Sequence, residues 1–494
     1  MATRWKQLKE RLQVPIDQDS YYENTTWCNR DLIPMPPERR TWGIWGYFGY
    51  WTVSGSCISA WSTGSTLLAF GLSPPQAIGV VAYWGGQATR VLWGAIIPGF
   101  AHMKNYFSES SHLLTNDFIG LIIWMAAFIP LVLVPPERLQ IPFAISFVLF
   151  GSSCIGILIW SVHHAGGPGS MFHEPGSTEN VGWAFMFGIT AILGAWGAGT
   201  LGQSDWTRYA NRKFAPTLSQ LIAAPITISV TAIIGIIVTS AAKDVLGEII
   251  WNPIYLLAEL QEEYHSSPRS RAGVFFASLG LVSSQLAISV VLNSVSTGMD
   301  MAGLCPKYIN IVRGSYIMAI IGIACQPWQL VSTADRFLKV LSGFGVFMAP
   351  ATGIMLADYH VIRKAKLKVN DLYNGTSSSI YWFNKGVNWR AIVSFLAGVW
   401  PLLPGLVGTV NSITDRGFVG WIRLYNLTFI IGLTISFVVF WTLNWCFPPP
   451  GLGEEAPFVD GGVLYGVGEE TSIESQKELE ASADKHTAVT SLSA

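Results

Sequence analysis

Residues 41–89 read TWGIWGYFGYWTVSGSCISAWSTGSTLLAFGLSPPQAIGVVAYWGGQAT, and none of these 49 side chains is charged. A stretch of that length has no polar coat to present to water, so its solvent is lipid. The remainder agrees. Half of the 494 residues are hydrophobic and 12% are charged, against roughly 25% in a soluble domain. Mean hydropathy is +0.39. Residues 1–40 hold 13 of the 61 charged side chains and residues 451–494 hold 11. Too few remain to coat the soluble domains a chain of this length would form. A net charge of −1, with no long basic stretch, also excludes nucleic acid as a partner.

A membrane-crossing helix needs about 20 apolar residues. Uncharged runs of that order lie at 118–136, 139–173, 180–204, 214–242, 272–299, 314–334, 340–357, 391–414 and 424–453, with a further span at about 45–70. An eleventh stretch, 74–101, carries Arg90 in its middle. The expectation is an all-α integral membrane protein with 10–11 spans. The alternation of a membrane barrel is absent. Lys and Arg gather in residues 1–40 and in the loops after 204, 300 and 358, which marks these regions as cytoplasmic. Five segments between the N-terminus and the 208–213 loop put these two basic regions on opposite sides. Parity returns if 74–101 is re-entrant or if one crossing is missing.

The sequence thus divides into a cytoplasmic segment 1–40, a transmembrane domain 41–450 and an acidic tail 451–494 of disordered composition. Lys477 and Lys485 in the tail offer acceptors for ubiquitin, with ligase adaptors as expected partners at the termini. The six Cys stand singly, without metal or disulfide spacing. No cleavable signal sequence is expected. Asn24, Asn374 and Asn426 begin N-x-Ser/Thr triplets, on the cytoplasmic side or inside a helix, so none is expected to carry a glycan.

No enzyme signature is present: HExxH, GxSxG and the P-loop are missing. His163, His164, His173 and Glu174 share one Gly-rich loop, but their spacing fits no known ligand pattern. The segments Gly55–Ser65 and Gly194–Asp205 place small residues and a Trp in mid-membrane. Gly64, Ser65, Gly194 and Gly197 permit unwound backbone whose free N–H and C=O groups can hold a substrate or ion. The same composition also serves close helix packing. The two segments occupy the first helix of each half, as in a repeated transporter. Gln285, Ser289 and Asn293 recur every four residues and share one helix face. Such a face can hydrogen-bond a heterocycle without burying a charge, or join helices as polar glue. Asp205 and Arg208 stand three apart, in reach of a local ion pair.

Several segments resemble one family. They are Asn29–Pro34 with Pro36–Trp42, Gly64-Ser65 with Gly71–Ser73, Gln203–Ala210, Pro306–Asn310 and Ala357–Tyr359. In this order they are similar to the fungal nucleobase–cation symporters, over about residues 20–450. The resemblance implies twelve helices, ten of them forming a LeuT-like five-plus-five inverted repeat, followed by two C-terminal helices. Substrates of the family are uracil, uridine, allantoin, cytosine, purines, thiamine and related heterocycles. The family's stacking Trp falls on Trp196 and its substrate-bonding Asn on Asn293. An outer gate falls on Phe344 and Met348.

The sequence departs from the family pattern at one point. Gln76–Val81 runs straight into Ala82-Tyr83-Trp84, where roughly 50–60 residues of a second and third helix are expected from helix lengths. The missing part carries an aromatic and a Gln that hold the substrate; Val81 stands in the place of that Gln. Ala287 and Ile288 replace polar residues of the cation site, so a co-transported proton is expected over sodium, with no resident cofactor. The expectation is a plasma-membrane, multi-pass permease with both termini cytoplasmic. The alternative is a truncated, non-transporting product of exon skipping or a faulty gene model. A membrane-bound enzyme is a minor third reading.

Overall fold

The computed structural model describes residues 11–15, 26–65, 74–174, 180–264, 267–330, 334–413, 415–456, 458–460 and 463–465. A few helical positions, Gly64, Ser65, Val81, Trp196 and Gly197 among them, are described by backbone alone. Lys477 and Lys485 lie outside the described residues.

The uncharged run opens as two short helices, α1 (Ile44–Gly55) and α2 (Ile58–Ser65). Ser56 between them leaves helical geometry, with φ −102° and ψ 73°. Then come α3 (Pro74–Ile96), α4 (Thr115–Leu131), α5 (Gln140–Ala165) and α6 (Val181–Leu201). The short α7 (Gln203–Thr207) follows α6 across Gly202. Next are α8 (Ala215–Leu246), α9 (Pro253–Glu263) and α10 (Pro268–Ile288). A π-helical segment, Ser289–Val295, joins α10 to α11 (Ser296–Leu304) as one 37-residue rod. The chain ends through α12 (Ile311–Ala324), α13 (Ala334–Leu356), α14 (Trp389–Val399), α15 (Leu403–Val410), α16 (Val419–Tyr425) and α17 (Thr428–Cys446).

Among the described residues, six helices are long and apolar enough to cross a membrane, and three shorter apolar ones accompany them. The first span is divided at Ser56, and α4 and α12 have 17 and 14 residues. The outer faces are apolar. On α5, Ile141, Val148 and Ile159 are exposed, as are Leu221, Ile226 and Ile233 on α8. Contiguous exposed side chains of this kind are stable only against lipid. The all-α membrane architecture read from composition is what forms.

One end of the bundle collects the basic segments. Trp42 N–H donates to Tyr209 O and Asn211 N–H to Trp42 O, both at 3.0 Å. Arg39 pairs with Glu137 at 2.6 Å. Asn29 Nδ2 donates to the carbonyls of Pro306 and Ile309 at 2.9 and 3.0 Å, and Tyr373 Oη donates to Leu32 O at 3.1 Å. At the far end, Arg271 Nη2 donates to Ile96 O at 2.7 Å and Lys243 pairs with Glu174 at 3.1 Å.

The parity conflict takes a geometric form here. α1 leaves the basic end at Trp42, and α2 reaches the far-end cluster through Ile58 and Trp61. α3 likewise passes from Ala82 in the basic-end cluster to Ala95 in the far-end one. The two therefore run in the same sense. The connection 66–73 lies outside the described residues.

An aromatic nest closes the basic end. Trp42 lies 5.3 Å from Trp206 and 5.5 Å from Tyr47 between ring centroids, and Tyr47 Oη donates to Trp206 O at 2.8 Å. The first part of the tail is ordered, against its disordered composition. Ala456 exchanges backbone hydrogen bonds with Leu367 and Val369, Lys368 pairs with Glu454 at 3.2 Å, and Phe458–Asp460 forms an antiparallel ribbon with Val463–Tyr465.

Candidate functional site

The interruption at Ser56 faces the α10 rod. Ser284 Oγ donates to Ser56 O at 3.2 Å. Cys57, Ala60 and Ile288 pack as a small apolar cluster beside it. Starting at the residue after Ser284, the rod carries the polar row expected from the sequence. Gln285 is fully buried, and neither its Nε2 nor its Oε1 has a hydrogen-bond partner. Ser289 Oγ and Asn293 Nδ2 are likewise buried without a partner. On the opposing helix, Ser54 Oγ is in the same condition. Each such group costs about 1–3 kcal/mol when left unmade. Interhelical glue would have paired these groups, and they are unpaired.

Ser289 and Asn293 stand in the π-helical segment. A π turn holds more residues than an α turn, and such turns concentrate at functional sites. The amide of Asn293 is thereby rotated relative to the strict four-residue stacking with Gln285. This widening was not legible from residue spacing.

Phe344 and Met348 lie half-buried on α13, one turn apart, and Met348 O accepts from Thr352 Oγ1 at 2.9 Å. A Cβ on Gly345 would touch the Gly194 backbone at 4.0 Å. Gly194 thus serves the close approach of α6 and α13, in place of the unwinding expected of it. α6 runs as a helix through Gly194, Trp196 and Gly197, and its interruption comes at Gly202. The first interruption falls at Ser56–Cys57, while Gly64 and Ser65 belong to the helical backbone of α2. Small residues permit a break along their whole run; the hydrogen bond from Ser284 marks where it occurs. Of the side chains of Trp196 and Ser65 the structure describes nothing. Arg208 turns away from the ion pair expected with Asp205 and donates to the main-chain carbonyls of Asp31 and Ile33.

One buried cluster was not read from the sequence. Arg90 Nε meets Asp117 Oδ1 at 3.0 Å, and Tyr83 and Gln87 gather on the other carboxylate oxygen. Its only trace is two isolated charges of opposite sign, Arg90 within the stretch 74–101 and Asp117 just ahead of the run 118–136. His163 and His164 stand in the last turn of α5 rather than in the loop expected for them; His164 Nδ1 sits 2.8 Å from Trp160 O, and Glu174 is engaged by Lys243. Among the described residues, no group of three His, Cys, Asp or Glu is placed to hold a metal.

The family described as permeases for cytosine/purines, uracil, thiamine and allantoin matches residues 34–82 and 77–432. The two stretches meet where the sequence places its junction. Transporter aclS of Aspergillus oryzae is 30% identical, over 94% of this chain and 93% of its own length. The uracil permease of Saccharomyces cerevisiae is 29% identical over 86% of this chain and 76% of its own. That yeast's uridine permease is 30% identical, over 87% and 66%. Among solved structures, Mhp1, a nucleobase-cation-symport-1 family transporter in a closed conformation with bromovinylhydantoin bound, aligns with a TM-score of 0.59. That alignment has 16% identity and covers 85% of this chain and 97% of Mhp1.

Proposed function

Since the chain belongs to the family of permeases for cytosine/purines, uracil, thiamine and allantoin, and is a membrane transporter rather than an enzyme, we propose that it carries one small heterocycle of the uracil, uridine, allantoin or thiamine type. Transport is coupled to a proton, proceeds by alternating access and takes place at the plasma membrane. The observation that carries this reading is the row of unpartnered polar groups on Gln285, Ser289 and Asn293 beside the interruption at Ser56. An amide offers both a donor and an acceptor to a ring edge. Gln285 and Asn293 together match the alternating N–H and C=O edge of a uracil-like ring without burying a charge, and the indole of Trp196 supplies a stacking face.

Asn293 sits where π geometry gives way to α11, so a modest shift of the rod moves its amide relative to α1. By the family resemblance, Phe344 and Met348 on α13 serve as the outer gate. Proton coupling is favoured over sodium because Ala287 and Ile288, buried next to the polar row, offer no oxygen ligand. With the basic end facing the cytoplasm, the Lys and Arg distribution obeys the positive-inside rule.

The test is uptake of labelled uracil, uridine, allantoin and thiamine into cells lacking their own permeases, at pH 5 and pH 7.5, with sodium replaced by choline. Saturable uptake of one compound, faster at pH 5 and indifferent to sodium, is expected. No uptake of any of the four by protein present at the cell surface would overturn the proposal.

A further inference from the structure

A second cavity opens near the far end, apart from the polar row on α10. It holds about 410 Å³, within the range of small-molecule pockets. Its floor is built from buried polar side chains on two helices. Asp117 of α4 is 2% exposed and is neutralised by Arg90 at 3.0 Å. Tyr83 Oη donates to Asp117 Oδ2 at 3.3 Å, and Gln87 Nε2 donates to Tyr83 Oη at 2.9 Å and to the same Asp117 oxygen at 3.3 Å. Both donors of the Gln87 amide and both carboxylate oxygens are thus engaged. Gln87 Oε1 is not: it has no hydrogen-bond partner although the residue is only 5% exposed and lines the cavity.

The walls are aromatic. Trp328 and Tyr255 line the cavity with Tyr83, and the rings of Tyr83 and Trp328 stand edge to face, 6.2 Å apart. Ser108 and His112, both exposed, form a polar rim. The pocket therefore offers a π surface, a single buried acceptor and no net charge on its floor. A planar ring with an N–H suits it, since the ring stacks while its N–H meets Gln87 Oε1.

We infer that this pocket is an outer subsite that binds a small uncharged heterocycle through an N–H of the ring, before the ring reaches the row at Gln285–Asn293. The chemical class of the ligand rests on the transport reading above; the existence of the site rests on the pocket. None of Gln285, Ser289 and Asn293 lines this cavity, so the two sites are separate.

The test is equilibrium binding of labelled uracil, uridine and allantoin, each in turn, to the purified full chain in lipid nanodiscs. The wild type is expected to bind about two equivalents of one compound, and Asn293→Ala about one. Gln87→Leu is expected to weaken the retained site of Asn293→Ala about tenfold or more, as loss of a buried hydrogen bond does. Trp328→Ala, at the pocket wall, is expected to act in the same direction and covers the case in which Gln87→Leu does not fold. Loss of all binding in Asn293→Ala, with the wild type binding one equivalent, overturns the outer subsite and leaves the transport reading intact. Undiminished binding in Gln87→Leu and Trp328→Ala, each combined with Asn293→Ala, also overturns it. No binding to the wild type overturns both.

Discussion

The hydroxyl of Ser284 reaches across from the α10 rod and donates to the carbonyl of Ser56 at 3.2 Å, where the first membrane helix is interrupted. Broken backbone in a membrane must find its partners inside the protein. Here the partner is a side chain from the helix that carries the polar row, so the position of the break and the position of that row are tied by one bond. Ser284→Ala removes the donor and leaves a buried carbonyl short of a partner, at a cost of about 1–3 kcal/mol. The expected result is a fall of a few degrees in the melting temperature of the purified protein and a several-fold rise in the KM for uptake. An unchanged KM would separate the break from the row.

Asn293 stands at the wide part of the rod with its Nδ2 unpartnered. Asn293→Ala is expected to reduce uptake to background with normal surface expression, because nothing within the protein depends on that donor. Asn293→Asp keeps the shape and loses the donor, and is expected to fail as well. Wild-type kinetics in the alanine variant would remove this residue from the site.

Arg90 and Asp117 are 14% and 3% exposed at their side chains. Removing one partner from a buried pair costs about 3–5 kcal/mol, because the other charge is left uncompensated. Arg90→Ala is therefore expected to lower surface expression sharply. The double change Arg90→Gln with Asp117→Asn, which leaves no charge, is expected to recover much of it. The comparison is made by surface labelling and by size-exclusion chromatography of the detergent extract. A double variant no better than the single one would argue against the pair.

At the basic end, Asn29 Nδ2 holds the carbonyls of Pro306 and Ile309, and Asp31 Oδ2 accepts from Ile311 N–H at 2.9 Å. Cys28, next to this strap, is buried against Ile33, Val369 and Tyr373. Asn29→Ala loosens the strap, so Cys28 as the single remaining cysteine is expected to react with a maleimide several-fold faster from the basic side. An unchanged labelling rate would show that the strap is held by its other bonds alone.

What could be read in the sequence was what local pattern determines. The long apolar runs that became α5 and α8 were plain because nothing interrupts their hydropathy. The row Gln285–Ser289–Asn293 was plain because helical spacing places it on one face. The exact breaks were not. Gly64, Ser65, Gly194 and Gly197 make unwinding cheap over their whole segments, but a break forms where a tertiary partner waits, at Ser56 under Ser284 and at Gly202 ahead of α7. The pairing of Arg90 with Asp117 was hidden for the same reason: it joins two helices, and no periodicity links their partners. The ordered start of the tail depends on its contact with residues 367–369, which composition does not encode.

The common direction of α1–α2 and α3 bears on how the chain enters the bilayer. The nine peptide links from Ser65 to Pro74 reach at most about 30 Å when fully extended, near the thickness of the hydrocarbon layer. A translocation channel that releases hydrophobic segments one at a time, with alternating orientation, has no independent place for α3. Its guanidinium also bars it from lipid until α4 delivers the carboxylate. The stability of α3 in the membrane thus depends on α4, whose carboxylate neutralises its guanidinium.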